Sequence, residues 1–338
     1  MDLETFLTTL YVLVDDWYKG YIVVHKPRQG GPQPDMSDSE VLAVAIAGQW
    51  RIGVPWSSER GLVRYINAHG RAMFPTMLQP SAFNERVRRL WGAFIILQQI
   101  VAEALNSADD VYVTGDCQPL PAFSPGQAQR EKRHWLWEST LGHGGTAGGW
   151  YYGDKLLAIV SRSGAITGWI TGSAYVNDRW LLEALLSGRT GHPQLQAPAY
   201  NTHQTYANRP TPPSGHIGPF QAVGHRTHLP YLLDKGFHGH LWRTHWREHY
   251  QADVIAAPTK SSRHPWPDEW EHWLASHRQI IETTFAWLDG IFGLKALNAH
   301  SRSGQYARLA AKMAAYNIGL FINRLLGRPQ GALATLLC

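Results

Sequence analysis

Residues 111–121 read VYVTGDCQPLP, a short apolar run, rich in β-branched and aromatic residues, that ends on the carboxylate Asp116. That composition predicts a strand with Asp116 at its end. The runs YYGDKLLAIVS (151–161) and AITGWITGSA (165–174) have the same texture, and Ser163–Gly164 between them predicts a hairpin turn. Two more strands are expected in HLPYLLD (228–234), which ends on Asp234, and in ADVIAAP (252–258), with a helix over 239–250 between them. After these the period changes: in HRQIIETTFAWL (277–288), Ile281, Phe285 and Leu288 share one helical face and Glu282 sits inside the run. Strands, then strand–helix alternation, then helices predict a mixed sheet covered by helices. If the first and fourth strands are neighbours, Asp116 and Asp234 converge.

The residues before Asp110 read as helical. Residues 3–24 carry Leu3, Leu7, Leu10, Leu13 and Val14 on one face, with an interruption near Gly20, and a Pro/Gly-rich loop over 26–35 follows. Ser37 and Glu40 have the spacing of a capping box, opening a helix toward Trp50. Helices are also expected over 57–68 and, as one long element, 81–105. Asn177 or Asp178 can cap a helix through Trp180, Leu182 and Leu185. The Pro-, Gly- and His-rich stretch 190–228 has no hydrophobic period and reads as an insertion.

Composition narrows the classes. At 338 residues and 44% hydrophobic content the chain can bury a large core. Its longest nearly uncharged apolar stretch, 91–102, is too short to span a bilayer, and Asp2 and Glu4 do not open a secretory signal, so a cytoplasmic protein with no membrane partner is expected. Two cysteines exclude a disulfide framework or a thiolate-rich zinc site. The net charge of +5 is unevenly placed: residues 51–91 hold seven arginines against two glutamates, and residues 294–328 hold six basic residues and no acidic one. Two basic blocks flanking a carboxylate-rich centre suit a polyanionic partner, with Arg86, Arg88, Arg89, Arg302, Arg308 and Lys312 as candidate DNA contacts. Solvated helix faces would produce the same pattern.

The chemistry that three separated carboxylates serve is phosphodiester cleavage. Two Mg²⁺ or Mn²⁺ ions roughly 3.5–4 Å apart activate the attacking oxygen and stabilise the leaving one, and hard cations take carboxylate oxygens without needing histidine. Asp116 is the natural bridging ligand, with Asp234 and Glu282 completing one metal each. Arg278 stands four residues before Glu282, on the same helical face, where it could orient the glutamate or contact a phosphate. Lys235 and Lys155 are further candidates for contact with the DNA backbone or the site.

These segments resemble the DDE transposases of bacterial insertion sequences. The likeness rests on GDCQPLPAF (115–123), the run 151–178, LLDKGFHG (232–239), RQIIETTFAWLDGIFGLKALNAHSR (278–302), QYARLAAKMAAYNIGLFINRL (305–325) and, in the N-terminal region, SDSEVLAVAIAGQW (37–50). The resemblance implies an α/β catalytic core with a ribonuclease-H-like mixed five-stranded sheet over residues 107–328, interrupted by an insertion at about 189–228. It also implies an all-helical DNA-binding or dimerisation region over 1–106. Asp116, Asp234 and Glu282 would be the catalytic, metal-binding triad, with Arg278 supporting the glutamate and two divalent cations per active site. The implied partners are double-stranded DNA, as terminal inverted repeats and as target, and a second copy of the chain in a dimer or higher oligomer. The implied reaction is cleavage at element ends followed by 3′-hydroxyl strand transfer. Two positions depart from a related subgroup, which has a tyrosine at the place of Ala275 and a lysine at that of Asp289. The competing readings are a DNA-binding relative without activity, against which the intact triplet argues, and a metal-dependent nuclease without strand transfer.

Overall fold

The computed structural model describes residues 1–25, 34–106, 110–123, 139–144, 149–190, 221–222, 229–259 and 262–337. They form two compact units, one of Met1–Leu105 with Ala286–Cys338 and the other of Asn106–Phe285. The C-terminal residues, expected to continue a catalytic region through 328, thus group with the N-terminal helices.

The first unit is helical. Its elements are α1 (Leu3–Trp17), α2 (Asp38–Ala47), α3 (Glu59–His69), α4 (Pro80–Arg89), α5 (Trp91–Ala104) and α9 (Arg302–Leu325). Ser37 and Glu40 close the expected capping box at the start of α2. The single helix expected over 81–105 is two, because the chain leaves helical geometry at Leu90 (φ −92°, ψ 9°). The break lets α4 pack on α2 and α3 while α5 runs along α9. Trp50 is buried between Phe6 and Phe292, each ring centroid 4.9 Å away in edge contact. Edge-on aromatic pairs of this kind add about 0.5–1.5 kcal/mol beyond the area they bury.

The second unit is a mixed sheet with helices. Its strands are β1 (Val113–Phe123), β2 (Thr140–His143), β3 (Trp150–Ser161), β4 (Ile166–Ser173), β5 (Gln221–Ala222), β6 (Pro230–Leu233) and β7 (Asp253–Ala256). Its helices are α6 (Asp178–Thr190), α7 (His240–Tyr250) and the larger part of α8, which spans Asp268–Gly290. The strand order is β5-β4-β3-β1-β6-β7, with β2 added beside β3. Seven strands therefore replace the expected five; the two extra ones, β2 and β5, are four and two residues long. Gln221–Ala222, inside the stretch expected to be an unstructured insertion, pairs with β4. Most of 190–228, and most of the loop expected over 26–35, lie outside the described residues.

β1 runs antiparallel to β3 and parallel to β6, and β6 is parallel to β7. Leu157, Ile159 and Ile170 on the sheet join Leu181, Leu185, Trp242 and Trp246 on α6 and α7 in one buried cluster. Within it the fully buried Glu183 accepts hydrogen bonds from Trp246 Nε1 at 3.0 Å and from Tyr250 Oη, and lies 3.1 Å from His245 Nε2. A carboxylate taken out of water at this depth is tolerated only when so surrounded, and here it fixes α7 against α6.

Candidate active site

The register of two neighbouring parallel strands sets the centre of the site. Val113 lies opposite Tyr231 and Thr114 opposite Leu232, where the β1–β6 pairing ends. Asp116 and Asp234 each stand two residues beyond that last pair, on the same side of the pleat as it. Asp116, expected at the end of its strand, lies within it: β1 continues to Phe123 and pairs Asp116 with Ala158 of β3, whereas Asp234 directly follows the last residue of β6. The two carboxylates that the sequence separates by the whole hairpin and insertion are thereby brought to neighbouring strands.

Glycines make the approach feasible. A Cβ on Gly115 would lie 2.4 Å from Ile159 Cδ1 and 2.9 Å from Leu233 Cδ2, so only glycine lets β1 sit between β3 and β6 immediately before Asp116. Asp234 caps the short turn Lys235–Phe237 by accepting from the Gly236 amide. A Cβ on Gly236 would fall 2.8 Å from Asp234 Oδ1 and 3.0 Å from Asp178 Oδ2. Two carboxylates therefore flank the space that Gly236 leaves open, and the second of them, Asp178, is a site residue that sequence reading assigned only to helix capping.

Asp178 begins α6, and its Oδ1 pairs with Lys155 Nζ at 2.7 Å; the same ammonium donates to Val176 O at 3.0 Å. Lys155 is thus committed to Asp178 at the sheet. Asp116 Oδ1 accepts its neighbour's amide, Cys117 N, at 2.7 Å, and Oδ2 accepts from Arg278 Nη2 at 2.9 Å. Arg278, expected to support Glu282, is therefore the partner of Asp116. Its Nε is buried with no hydrogen-bond partner among the described residues. Glu282, one helical turn further along α8, is exposed, as is Lys235.

The electrostatics follow from this crowding. Burial raises the Asp116 carboxyl, the Arg278 guanidinium opposes the rise, and the negative charges of Asp234 and Asp178 add to it, leaving a pKa of about 6. Burial, together with the Asp178 and Asp116 charges, also pushes the Cys117 thiol well up, so it stays protonated and hydrogen-bonded to Asp178. Carboxylates that repel one another on neighbouring elements are the donors a hard divalent cation takes, and in kind the set Asp116, Asp178 and Asp234 fits such an ion. In arrangement it is not closed: among the described residues no three His, Cys, Asp or Glu side chains are gathered as a metal-binding group, and Glu282 is not drawn in with the aspartates.

The basic residues expected to contact DNA belong to the first unit and have varied surroundings. Arg86 is tied to Asp38 Oδ1 at 2.5 Å and to Met36 O, which makes it a packing residue of α4. Arg89 is exposed and pairs with Glu85. Arg88 donates to Asn84 Oδ1 at 2.7 Å, and Arg302 to Gln305 Oε1 at 2.9 Å. Arg308 holds the carbonyls of Leu297 and Asn298. Lys312 is only 1% exposed, so it cannot lie on an open surface. No helix among the described residues is long and apolar enough to cross a membrane.

Residues 219–318 match the family model of the transposase DDE domain. The matched span includes Asp234, Arg278 and Glu282; Asp116, within β1, and Asp178, at the start of α6, precede it. No curated protein and no solved structure matches the chain.

Proposed function

We propose that this chain, which carries a transposase DDE domain over residues 219–318, is a DNA transposase that cuts at the terminal inverted repeats of an insertion sequence and joins the freed 3′-hydroxyl to target DNA. The observation that carries the reading is the β1–β6 pairing, whose last partners Thr114 and Leu232 each precede an aspartate by two residues, together with the Asp234 charge acting on Asp116. The order of the strands, antiparallel on one flank of β1 and parallel on the other, supports a ribonuclease-H-like catalytic unit.

In this reading Asp116 and Asp234 would hold the metals, exposed Glu282 would complete the set on binding, and Asp178 would add negative charge behind them. Two Mg²⁺ or Mn²⁺ ions, when bound, supply an activated oxygen nucleophile and neutralise the phosphoryl oxygens. Arg278 keeps Asp116 oriented through Nη2. Lys155 holds Asp178 in place, and exposed Lys235 next to Asp234 meets the backbone of the strand being cut. Because two element ends must be handled together, the chain acts as a dimer or higher assembly. It works on double-stranded DNA in the bacterial cytoplasm.

Joining of a pre-cut element end to a target plasmid, in Mg²⁺ or Mn²⁺, tests the proposal. Joined product that disappears in Asp234→Asn supports it. Cleavage without joining at any protein concentration would replace it with a metal-dependent nuclease.

A further inference from the structure

The two basic blocks that lie far apart in the sequence meet in the first unit. There α2, α3, α4 and α9 enclose a cavity of about 540 Å³ whose wall includes Arg51, Arg60, Arg88, Arg308 and Lys312 against a single carboxylate, Glu59. Glu59 is already engaged, accepting from Asn84 Nδ2 at 2.6 Å and lying 3.7 Å from Arg308. Lys312, at the floor, donates to Gln49 Oε1 at 3.1 Å and to Phe292 O, both neutral acceptors. A buried ammonium with no carboxylate beside it is costly, and Arg51 and Arg308 add like charge: burial first and then these two arginines bring Lys312 down to about 7. Arg51 is itself pushed down by burial and by Arg308. Five cations thus converge on a space that one occupied carboxylate does not neutralise.

A second cavity, of about 460 Å³, shares Asn84, Arg88 and Arg308 with the first and is lined by Ser301, Ser303 and Gly304 at the N-terminus of α9. The positive end of a 24-residue helix therefore faces the same path. Together the cavities make a continuous cationic groove, larger than a lone inorganic anion needs and suited to a run of phosphates.

We infer that this groove is a phosphate-binding site that seats backbone phosphates of DNA, with Arg60, Arg88 and Arg308 on its wall above the buried Lys312. The inference rests on the reading of the chain as a DNA-acting protein, and it singles out Arg51 and Arg60, which the sequence offered only as members of the basic block 51–91. Inorganic phosphate shares the recognised chemistry and is the other source of such a ligand.

The test uses the full chain, a short random-sequence duplex and inorganic phosphate. Binding of the duplex is measured against salt for the native protein, for Arg60→Ala/Arg88→Ala and for Arg308→Ala, with circular dichroism to verify folding. Each lost phosphate contact lowers the slope of log K against log salt by about 0.9, so the double variant should lose about two units of slope and Arg308→Ala about one. Phosphate should raise the melting temperature of the native protein above that in chloride of equal ionic strength, and less so in the variants. The binding readout requires no cleavage, so a failure of cleavage chemistry leaves this result readable. Unchanged slopes in both folded variants would overturn the inference. Stabilisation by phosphate with unchanged DNA slopes would overturn the DNA assignment in favour of a free phosphate ligand.

Discussion

Replacing Asp116 by asparagine should make the protein more stable while removing its chemistry. The native carboxyl is raised from 3.8 to about 6 by burial and by Asp234 and Asp178, net of the opposing Arg278. The folded state therefore binds its proton more tightly than the unfolded chain does. Between pH 3.8 and 6 the folded state holds the extra proton, so the stability this group contributes is present below pH 3.8 and lost as pH rises through 6. Above pH 6 the native protein carries the full cost of ionising Asp116. A shift of that size corresponds to at most about 3 kcal/mol. With the side chain 27% exposed, screening by water lowers the expected gain to about 1–2 kcal/mol. The neutral amide of the variant resembles the protonated acid and escapes this cost. Urea denaturation of both proteins in EDTA should show the gain for Asp116→Asn at pH 8 and its disappearance at pH 3.5. A variant no more stable than native at pH 8, or a difference independent of pH, would refute the electrostatic account of the site.

Other consequences follow from individual contacts. Gly236→Ala places a Cβ 2.8 Å from Asp234 Oδ1; the carboxylate can swing away, so stability should change by less than about 1 kcal/mol while cleavage falls on the order of 100-fold, as single-turnover rates would show. Arg278→Gln removes the cation that opposes the rise at Asp116, so the acid limb of the pH–rate profile should move to higher pH; an unmoved limb would separate Arg278 from Asp116 in function. Glu183→Ala strands Trp246 Nε1 and takes one partner from Tyr250 Oη in the core, and thermal or urea unfolding should register a loss of about 3 kcal/mol or more.

Much of the second unit is legible in the sequence because its strands are local signals: the β-branched run before Asp116, and Gly164 with φ +86° turning β3 into β4. The capping box at Ser37 is equally local, since both its bonds lie within one turn. What was not legible depends on pairing between distant elements. Asp178 looks like a helix cap until β3 brings Lys155 to it, and the same residue then faces Gly236 across the sheet end. Arg278 has the spacing to serve Glu282, yet the position of α8 against β1 gives it to Asp116. The two basic blocks read as separate surfaces, and only packing of α9 with the N-terminal helices turns them into the walls of one groove.

The most direct test of the central claim is single-turnover cleavage of DNA carrying the element's own ends, in Mg²⁺ or Mn²⁺, by the native protein, Asp116→Asn, Asp234→Asn and Glu282→Gln, with binding to the same DNA measured alongside. Cutting at the ends that is lost in all three variants while binding persists is the predicted result. Cutting that survives loss of Asp116 and Asp234 would contradict the account.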